Sequence, residues 1–187
     1  MATISDLAKG NYVRYNGEVM QVEEMQHRTP GNLRAFYQLK LRNLKNGKLA
    51  ENRFRPGDTI EILRVETKNY QFLYADGDSL VIMDNTSFEQ IYIDKSLLGG
   101  SVNFIKEGFE LMVAFEDGSN PITAEAPQHV VLNVTYTEPG VAGDTATRTL
   151  KPATVETGAE VRVPLFINAG DNIKIKSSTG EYVERVK

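Results

Sequence analysis

Short runs of alternating apolar and polar residues, separated by turn signals, dominate this sequence of 187 residues. Asn16-Gly17 joins the runs Tyr12–Tyr15 and Glu18–Met25, and an Asn-Gly pair is the strongest short hairpin signal because both residues tolerate positive φ angles. Similar turns recur at intervals of roughly eight to twelve residues, which leaves room for strands but not for long helices. The pattern therefore predicts an all-β protein built from small barrels.

Three segments of comparable length carry this pattern. We expect three small β-barrels in tandem, formed by residues 1–65, 66–128 and 129–187. Helical spacing occurs only in Ser87–Gly108, where Phe88 and Tyr92 are four residues apart. Gly99-Gly100 is expected to break that stretch into short helices or turns.

Composition excludes several kinds of chemistry. The chain has no cysteine, so disulfides, thiol nucleophiles and zinc–thiolate sites are absent. Its two histidines, His27 and His129, have no metal-ligand spacing, and neither a nucleophile elbow nor a nucleotide-binding loop is present. We expect a binding protein and not an enzyme, with no cofactor, no metal and no small-molecule substrate.

The sequence has neither a signal-peptide layout nor an apolar run approaching the roughly 20 residues that span a bilayer. These features predict a soluble cytoplasmic protein that does not contact a membrane. Charge is uneven: residues 1–65 hold eleven Lys and Arg against seven Asp and Glu, whereas residues 66–128 hold three against eleven. The asymmetry indicates an anionic partner, such as RNA, addressed by the first segment.

The loop Gln26–Phe36 is the most distinctive candidate site. Pro30-Gly31 predicts a type II turn in which glycine takes the positive φ angle, and Arg28 and Arg34 flank it with no acid between them. One interpretation is a solvated hairpin tip, and the other is a projecting finger that seeks anions. The strand that follows the loop places Lys40 and Arg42 on its outward face, either as solvated charges or as phosphate contacts.

A run near the C-terminus resembles the signature of bacterial elongation factor P. Residues 151–170 fit the pattern K-x-A-x(4)-G-x(2)-[LIV]-x-V-P-x(2)-[LIV]-x(2)-G at every specified position. Residues 83–90, 138–146 and 180–187 also resemble family motifs, so the resemblance covers the full length. Residues 29–36, TPGNLRAF, align without a gap to the family's KPGKGQAF loop.

The resemblance implies an SH3/KOW-like first barrel followed by two OB-fold barrels, in an L-shaped, tRNA-like monomer. It implies a translation elongation factor that binds the ribosome between the P and E sites. Such a factor positions P-site peptidyl-tRNA, promotes peptide-bond formation and relieves stalls at consecutive prolines. The partners implied are the rRNA of both subunits and the peptidyl-tRNA.

The resemblance also assigns site residues. The tip near the acceptor end of peptidyl-tRNA comprises Pro30, Gly31, Asn32, Leu33 and Arg34, and the phosphate contacts are Arg28, Lys40 and Arg42. RNA contacts in the last barrel are Gly143, Asp144, Thr145, Tyr182 and Arg185. For Tyr182 a place at the edge of the core is the equal alternative.

The tip departs from the family pattern. The family usually carries a modified lysine or arginine where this chain has Asn32. An asparagine amide nitrogen is not nucleophilic, so we expect this factor to act unmodified. Two alternatives remain open: a paralogue of the family with a different set of stalling sequences, and a generic oligonucleotide-binding protein of tandem OB barrels.

Overall fold

A computed structural model describes residues 2–31, 34–139 and 150–187. The prediction of an all-β protein is confirmed. The strands found in those residues are β1 Ala2–Thr3, β2 Tyr12–Tyr15, β3 Glu18–Arg28, β4 Phe36–Asn43, β5 Leu49–Phe54, β6 Thr59–Ile62, β7 Val65–Asp76, β8 Ser79–Asp84, β9 Gln90–Asp94, β10 Glu110–Glu116, β11 Asn120–Glu125, β12 His129–Thr137, β13 Leu150–Val155, β14 Glu160–Pro164, β15 Asn172–Lys176 and β16 Tyr182–Val186.

These strands form three sheets that curl into half-barrels. Their strand orders are β1-β6-β2-β3-β4-β5, β11-β10-β7-β8-β9 and β14-β13-β12-β15-β16. The first sheet includes a short strand, β1, that the sequence pattern did not predict. The turn between β2 and β3 confirms the Asn-Gly signal, since Asn16 has φ 52° and Gly17 has φ 80°.

The predicted helical spacing at Phe88 to Tyr92 is wrong. Gln90–Asp94 is instead the strand β9, which pairs with β8 in antiparallel register, for example Val81 with Tyr92. Pairing with an adjacent buried strand outweighs a weak local periodicity. The following segment, Lys95–Phe104, is 3₁₀ helix, and it kinks at Gly99 (φ 54°, ψ −135°) as the Gly-Gly pair predicts.

The chain separates into two compact units, Met1–Thr67 with Val113–Thr123 and Lys68–Met112 with Ala124–Lys187. In the first unit the apolar positions of the strands and of the 3₁₀ turn Ile4–Asp6 build one core. Alternation along β4 sends its leucines inward, as predicted. The buried core residues are Ile4, Leu7, Val13, Met20, Val22, Leu39, Leu41 and Ile60.

The second unit contains a core in which Phe104 joins the strands of the C-terminal sheet. Its ring is 7% exposed and packs in the same cluster as Leu132, Ile173 and Ile175. A Cβ atom added to Gly180 would lie 2.5 Å from Cζ of Phe104. The end of the 3₁₀ segment is therefore held in the C-terminal core by a contact that only glycine accommodates.

None of the helices in the described ranges combines the length and the apolar character needed to cross a membrane.

Gly180→Ala is expected to destabilise the protein more than Gly170→Ala. Both glycines have positive φ angles, 71° and 91°, so either alanine costs about 1–2 kcal/mol of backbone strain. Nothing lies within 4 Å of a Cβ at Gly170, whereas the Phe104 ring must move at Gly180. Urea unfolding of both variants measures the difference in free energy, and equal losses would contradict the Phe104 contact.

Candidate nucleic-acid interface

The hairpin of β3 and β4 carries the predicted tip loop. The two strands pair from Met20 with Asn43 to Arg28 with Phe36, which leaves the seven residues 29–35 between them. A bulge between Val22 and Glu24 adds one residue to β3. Beyond the bulge, Glu24, Gln26 and Arg28 share one face because side chains alternate along a strand.

The predicted type II turn at Pro30-Gly31 is wrong. Gly31 does not have the positive φ angle that the second central residue of such a turn requires. Asn32 and Leu33, also predicted as tip residues, lie outside the described residues.

Arg28 and Arg34, the two arginines of the loop, are exposed. Arg28 donates from Nη2 and Nε to the side-chain oxygen of Gln26, at 2.8 and 3.2 Å. No carboxylate within residues 2–31, 34–139 and 150–187 forms an ion pair with either arginine. Both guanidinium groups therefore keep an unneutralised positive charge.

Lys40 and Arg42 share the outward face of β4, as predicted, but their surroundings differ. Arg42 donates from Nε to the carboxylate of Glu23, the residue at the bulge, and forms an ion pair with it. The hydrogen bond from Arg42 lowers the pKa of Glu23 from its ordinary value. Lys40 forms no ion pair with any described residue.

Aromatic contacts flank the base of the loop on both faces of the hairpin. His27 stacks on Tyr37 with ring centroids 4.6 Å apart, and the two residues are register partners. On the other face the guanidinium of Arg53, from β5, lies 5.1 Å from the centre of the Phe36 ring. Sequence reasoning missed Arg53 because only the register of β4 with β5 brings it to this face.

The C-terminal sheet contains two of the remaining predicted residues, Tyr182 and Arg185, both in β16. Tyr182 packs against the core, and burial is the main cause that raises the pKa of its hydroxyl. This packing is the core-edge position that the sequence offered as one alternative. Arg185 lies 3.7 Å from the carboxylate of Asp171 and 5.8 Å from the centre of the exposed Phe166 ring. Gly143, Asp144 and Thr145 lie outside the described residues.

Lys151, the first residue of the signature run, has a structural position. Its side chain is 6% exposed, and Nζ donates to the backbone carbonyl of Glu138 at 2.6 Å. The bond joins the first residues of β13 to the chain that leaves β12. A buried ammonium without a partner would be costly, so this contact explains why a lysine is accommodated here.

The candidate site residues are basic side chains that lie apart from one another on strand faces and loops. The ranges that the structure describes contain no group of three or more His, Asp and Glu side chains able to hold a metal ion. Arginine side chains bind phosphate and carboxylate oxygens bidentately. The hairpin can therefore bind an anion.

Glu23→Gln is expected to lower stability at neutral pH but not in acid. Because the pKa of Glu23 is depressed in the folded state, its contribution is present above the unfolded pKa and is lost as pH falls through the folded pKa. An exposed pair contributes about 0.2–1 kcal/mol. Urea unfolding at neutral pH and near pH 2.5 measures the difference in free energy of unfolding between wild type and variant. Glu51→Gln, which removes the charge of a carboxylate that accepts from the neutral Gln38, is the control. A stability difference for Glu23→Gln that persists in acid contradicts the ion pair.

Family models match three consecutive parts of the chain. Residues 3–60 match the Elongation factor P (EF-P) KOW-like domain, residues 65–123 the Elongation factor P (EF-P) OB domain, and residues 130–185 the Elongation factor P, C-terminal model. The solved structure of eukaryotic translation initiation factor 5A from Methanococcus jannaschii has a similar fold. It aligns with a TM-score of 0.52 and 17% identity over 67% of this chain and 90% of that chain.

Relatives of the same length are more similar in sequence. Elongation factor P of Chloroherpeton thalassium is 48% identical over 187 residues, which is the full length of both chains. Elongation factor P of Flavobacterium psychrophilum is 46% identical over 188 aligned positions, again the full length of both. On these matches the chain belongs to the elongation factor P family of translation elongation factors.

Proposed function

We propose that this factor binds the ribosome between the P and E sites and positions P-site peptidyl-tRNA for peptide-bond formation, so that stalls at consecutive prolines are relieved. The rRNA of both subunits and the peptidyl-tRNA are its partners. It acts in the cytoplasm as a monomer. The division into domains at residues 1–65, 66–128 and 129–187 is part of the same proposal.

The observation that carries the proposal is the exposed cationic end of the β3–β4 hairpin. Arg28 and Arg34 stand on either side of the tip loop, and neither is neutralised by a carboxylate within the described ranges. Contacts to phosphates fix the position of a protein on RNA without reading its sequence. A factor that serves many different tRNAs needs contacts of this kind.

The factor accelerates peptide-bond formation without performing chemistry. Holding two reactants in a productive geometry removes much of the entropic barrier to a reaction, and the ribosome provides the reacting groups. Asn32 hydrogen-bonds RNA at the tip, and Arg28, Arg34 and Lys40 contact phosphates. Arg42 contributes less, because the carboxylate of Glu23 already neutralises it.

The C-terminal sheet supplies a second set of RNA contacts. Residues Gly143–Thr145 and Arg185 approach RNA of the small subunit. Phe166, which is 59% exposed beside Arg185, offers an apolar surface at the same place. Tyr182, which packs against the core of this sheet, is a further contact in the proposal.

A paralogue with a different set of stalling sequences is the second candidate. Asn32 favours it, since the tip cannot carry the usual lysine-type modification. Both candidates share the ribosomal site and the mechanism, and they differ only in which nascent peptides depend on the factor.

Recombinant unmodified protein is expected to restore translation of a reporter containing consecutive prolines on ribosomes from its own host. Arg34→Ala should reduce the rate of stall relief roughly tenfold, because a charge-assisted contact contributes about 1.5 kcal/mol or more. Asn32→Ala should weaken relief in the same direction. Lys48→Ala, in the exposed turn at the opposite end of β4, is the matched control. Ribosome binding without relief of this reporter, combined with relief at other stalling sequences, would favour the paralogue.

Protein purified from the native host is expected to carry no modification in the tip loop. Mass spectrometry of the Gln26–Phe36 region should give the mass calculated from the sequence alone. The recombinant protein provides the reference spectrum. An added mass on this region would show that the tip is modified and that unmodified action is not the native mechanism.

A further inference from the structure

The outward face of β3, β4 and β5 is ordered by charge along the length of the hairpin. The strand register places Glu24, Lys40 and Glu51 in one cross-strand row. The next row toward the tip contains Gln26, Gln38 and Arg53, and the row after it pairs Arg28 with Phe36. Within these three rows the two carboxylates lie beside Lys40 in the row nearest the base, and the guanidinium groups of Arg53 and Arg28 lie toward the tip.

The two glutamines separate these charges. Gln26 donates from Nε2 to Glu24 and accepts from Arg28 through its oxygen, so it holds the arginine with a neutral group. Gln38 donates to Glu51 at 2.9 Å. Each carboxylate thus accepts a hydrogen bond from an amide instead of neutralising an arginine.

Arg53 is also held by an uncharged partner. Its guanidinium lies over the Phe36 ring at 5.1 Å, within the range of a cation–π contact. It forms no ion pair with a carboxylate in the described parts of the chain. The contact with the ring restricts the Arg53 side chain. Its N–H groups stay available to a ligand, because the ring accepts no conventional hydrogen bond from them.

We propose that Arg28, Phe36 and Arg53, here called the neck cluster, form a clamp for backbone phosphates of the peptidyl-tRNA. The inference rests on the proposed function and adds Arg53 as an RNA contact. Arg28 and Arg53 approach the RNA from the two sides of Phe36, which is the positioning residue for Arg53.

RNA fits this cluster better than an acidic protein does. Guanidinium groups bind phosphate oxygens through two parallel N–H bonds, and prior restriction of the side chain reduces the entropy lost on binding. Contacts of guanidinium groups with phosphates carry no sequence information, which suits a backbone whose sequence varies. An acidic peptide would need several carboxylates at matching spacing, whereas phosphates recur along every strand.

Arg53→Gln tests the clamp in the full-length protein. Affinity for ribosomes bearing peptidyl-tRNA in the P site is measured at several salt concentrations, and log K is plotted against log[salt]. Loss of one phosphate contact should lower the slope by about 0.7–0.9 and the affinity by roughly three- to tenfold. Lys48→Gln removes the same charge from an exposed turn beyond the other end of β5, and it should leave the slope unchanged.

Variants of Phe36 test its positioning role. Phe36→Leu should reproduce part of the Arg53→Gln loss of slope, because it removes the ring under the guanidinium. Phe36→Tyr retains the ring and should restore the wild-type slope. Circular dichroism melting of each variant confirms that the sheet is intact, and a Phe36→Leu variant that folds and keeps the full slope overturns the positioning role.

Ribosomes without P-site tRNA distinguish the source of the phosphate. If Arg53→Gln loses affinity for ribosomes only when P-site tRNA is present, the clamp is supported. An equal loss of affinity for ribosomes without tRNA overturns the tRNA assignment in favour of rRNA. If the wild type binds ribosomes and Arg53→Gln has the same affinity and the same salt slope, the clamp proposal fails but the proposed function does not. If the wild type does not bind ribosomes at all, the proposed function fails together with the clamp.

Discussion

The antiparallel pairing of β3 with β4 is the constraint on which the interface depends. A shift of one residue in this register would exchange the inward and outward faces beyond it. The bulge after Val22 keeps that valine in the core and still points Gln26 and Arg28 outward. Burial of Leu39 and Leu41 fixes the register from the other strand, because either slip would expose them to water.

Neutral partners for charged groups are the second organising feature. Amide and aromatic groups hold Arg28 and Arg53, whereas Arg42, one row nearer the base than Lys40, is held by a carboxylate. A guanidinium that is oriented but not neutralised can attract a distant phosphate and then bind it without a large loss of side-chain entropy. The geometry therefore suits a protein that acts by positioning RNA.

Packing in the second unit joins its 3₁₀ segment to the C-terminal sheet. Phe104 inserts into the C-terminal core, and Thr157 donates to the carbonyl of Asn103 at 2.7 Å. Lys106 and Glu156 form an ion pair at 2.9 Å beside these contacts. These three interactions hold the 3₁₀ segment against the C-terminal sheet.

Local chemistry in the sequence was sufficient for the hairpin turn between β2 and β3, the alternation of β4, the all-β class and the family. Asn16-Gly17 is an example, because its φ angles depend on the two residues themselves. Tertiary structure alone decided that Gln90–Asp94 is a strand, that Gly31 needs no positive φ angle, and that Arg53 lies over Phe36. Those outcomes depend on pairing between strands, and the free energy of such pairing comes from burial and register that no local pattern contains.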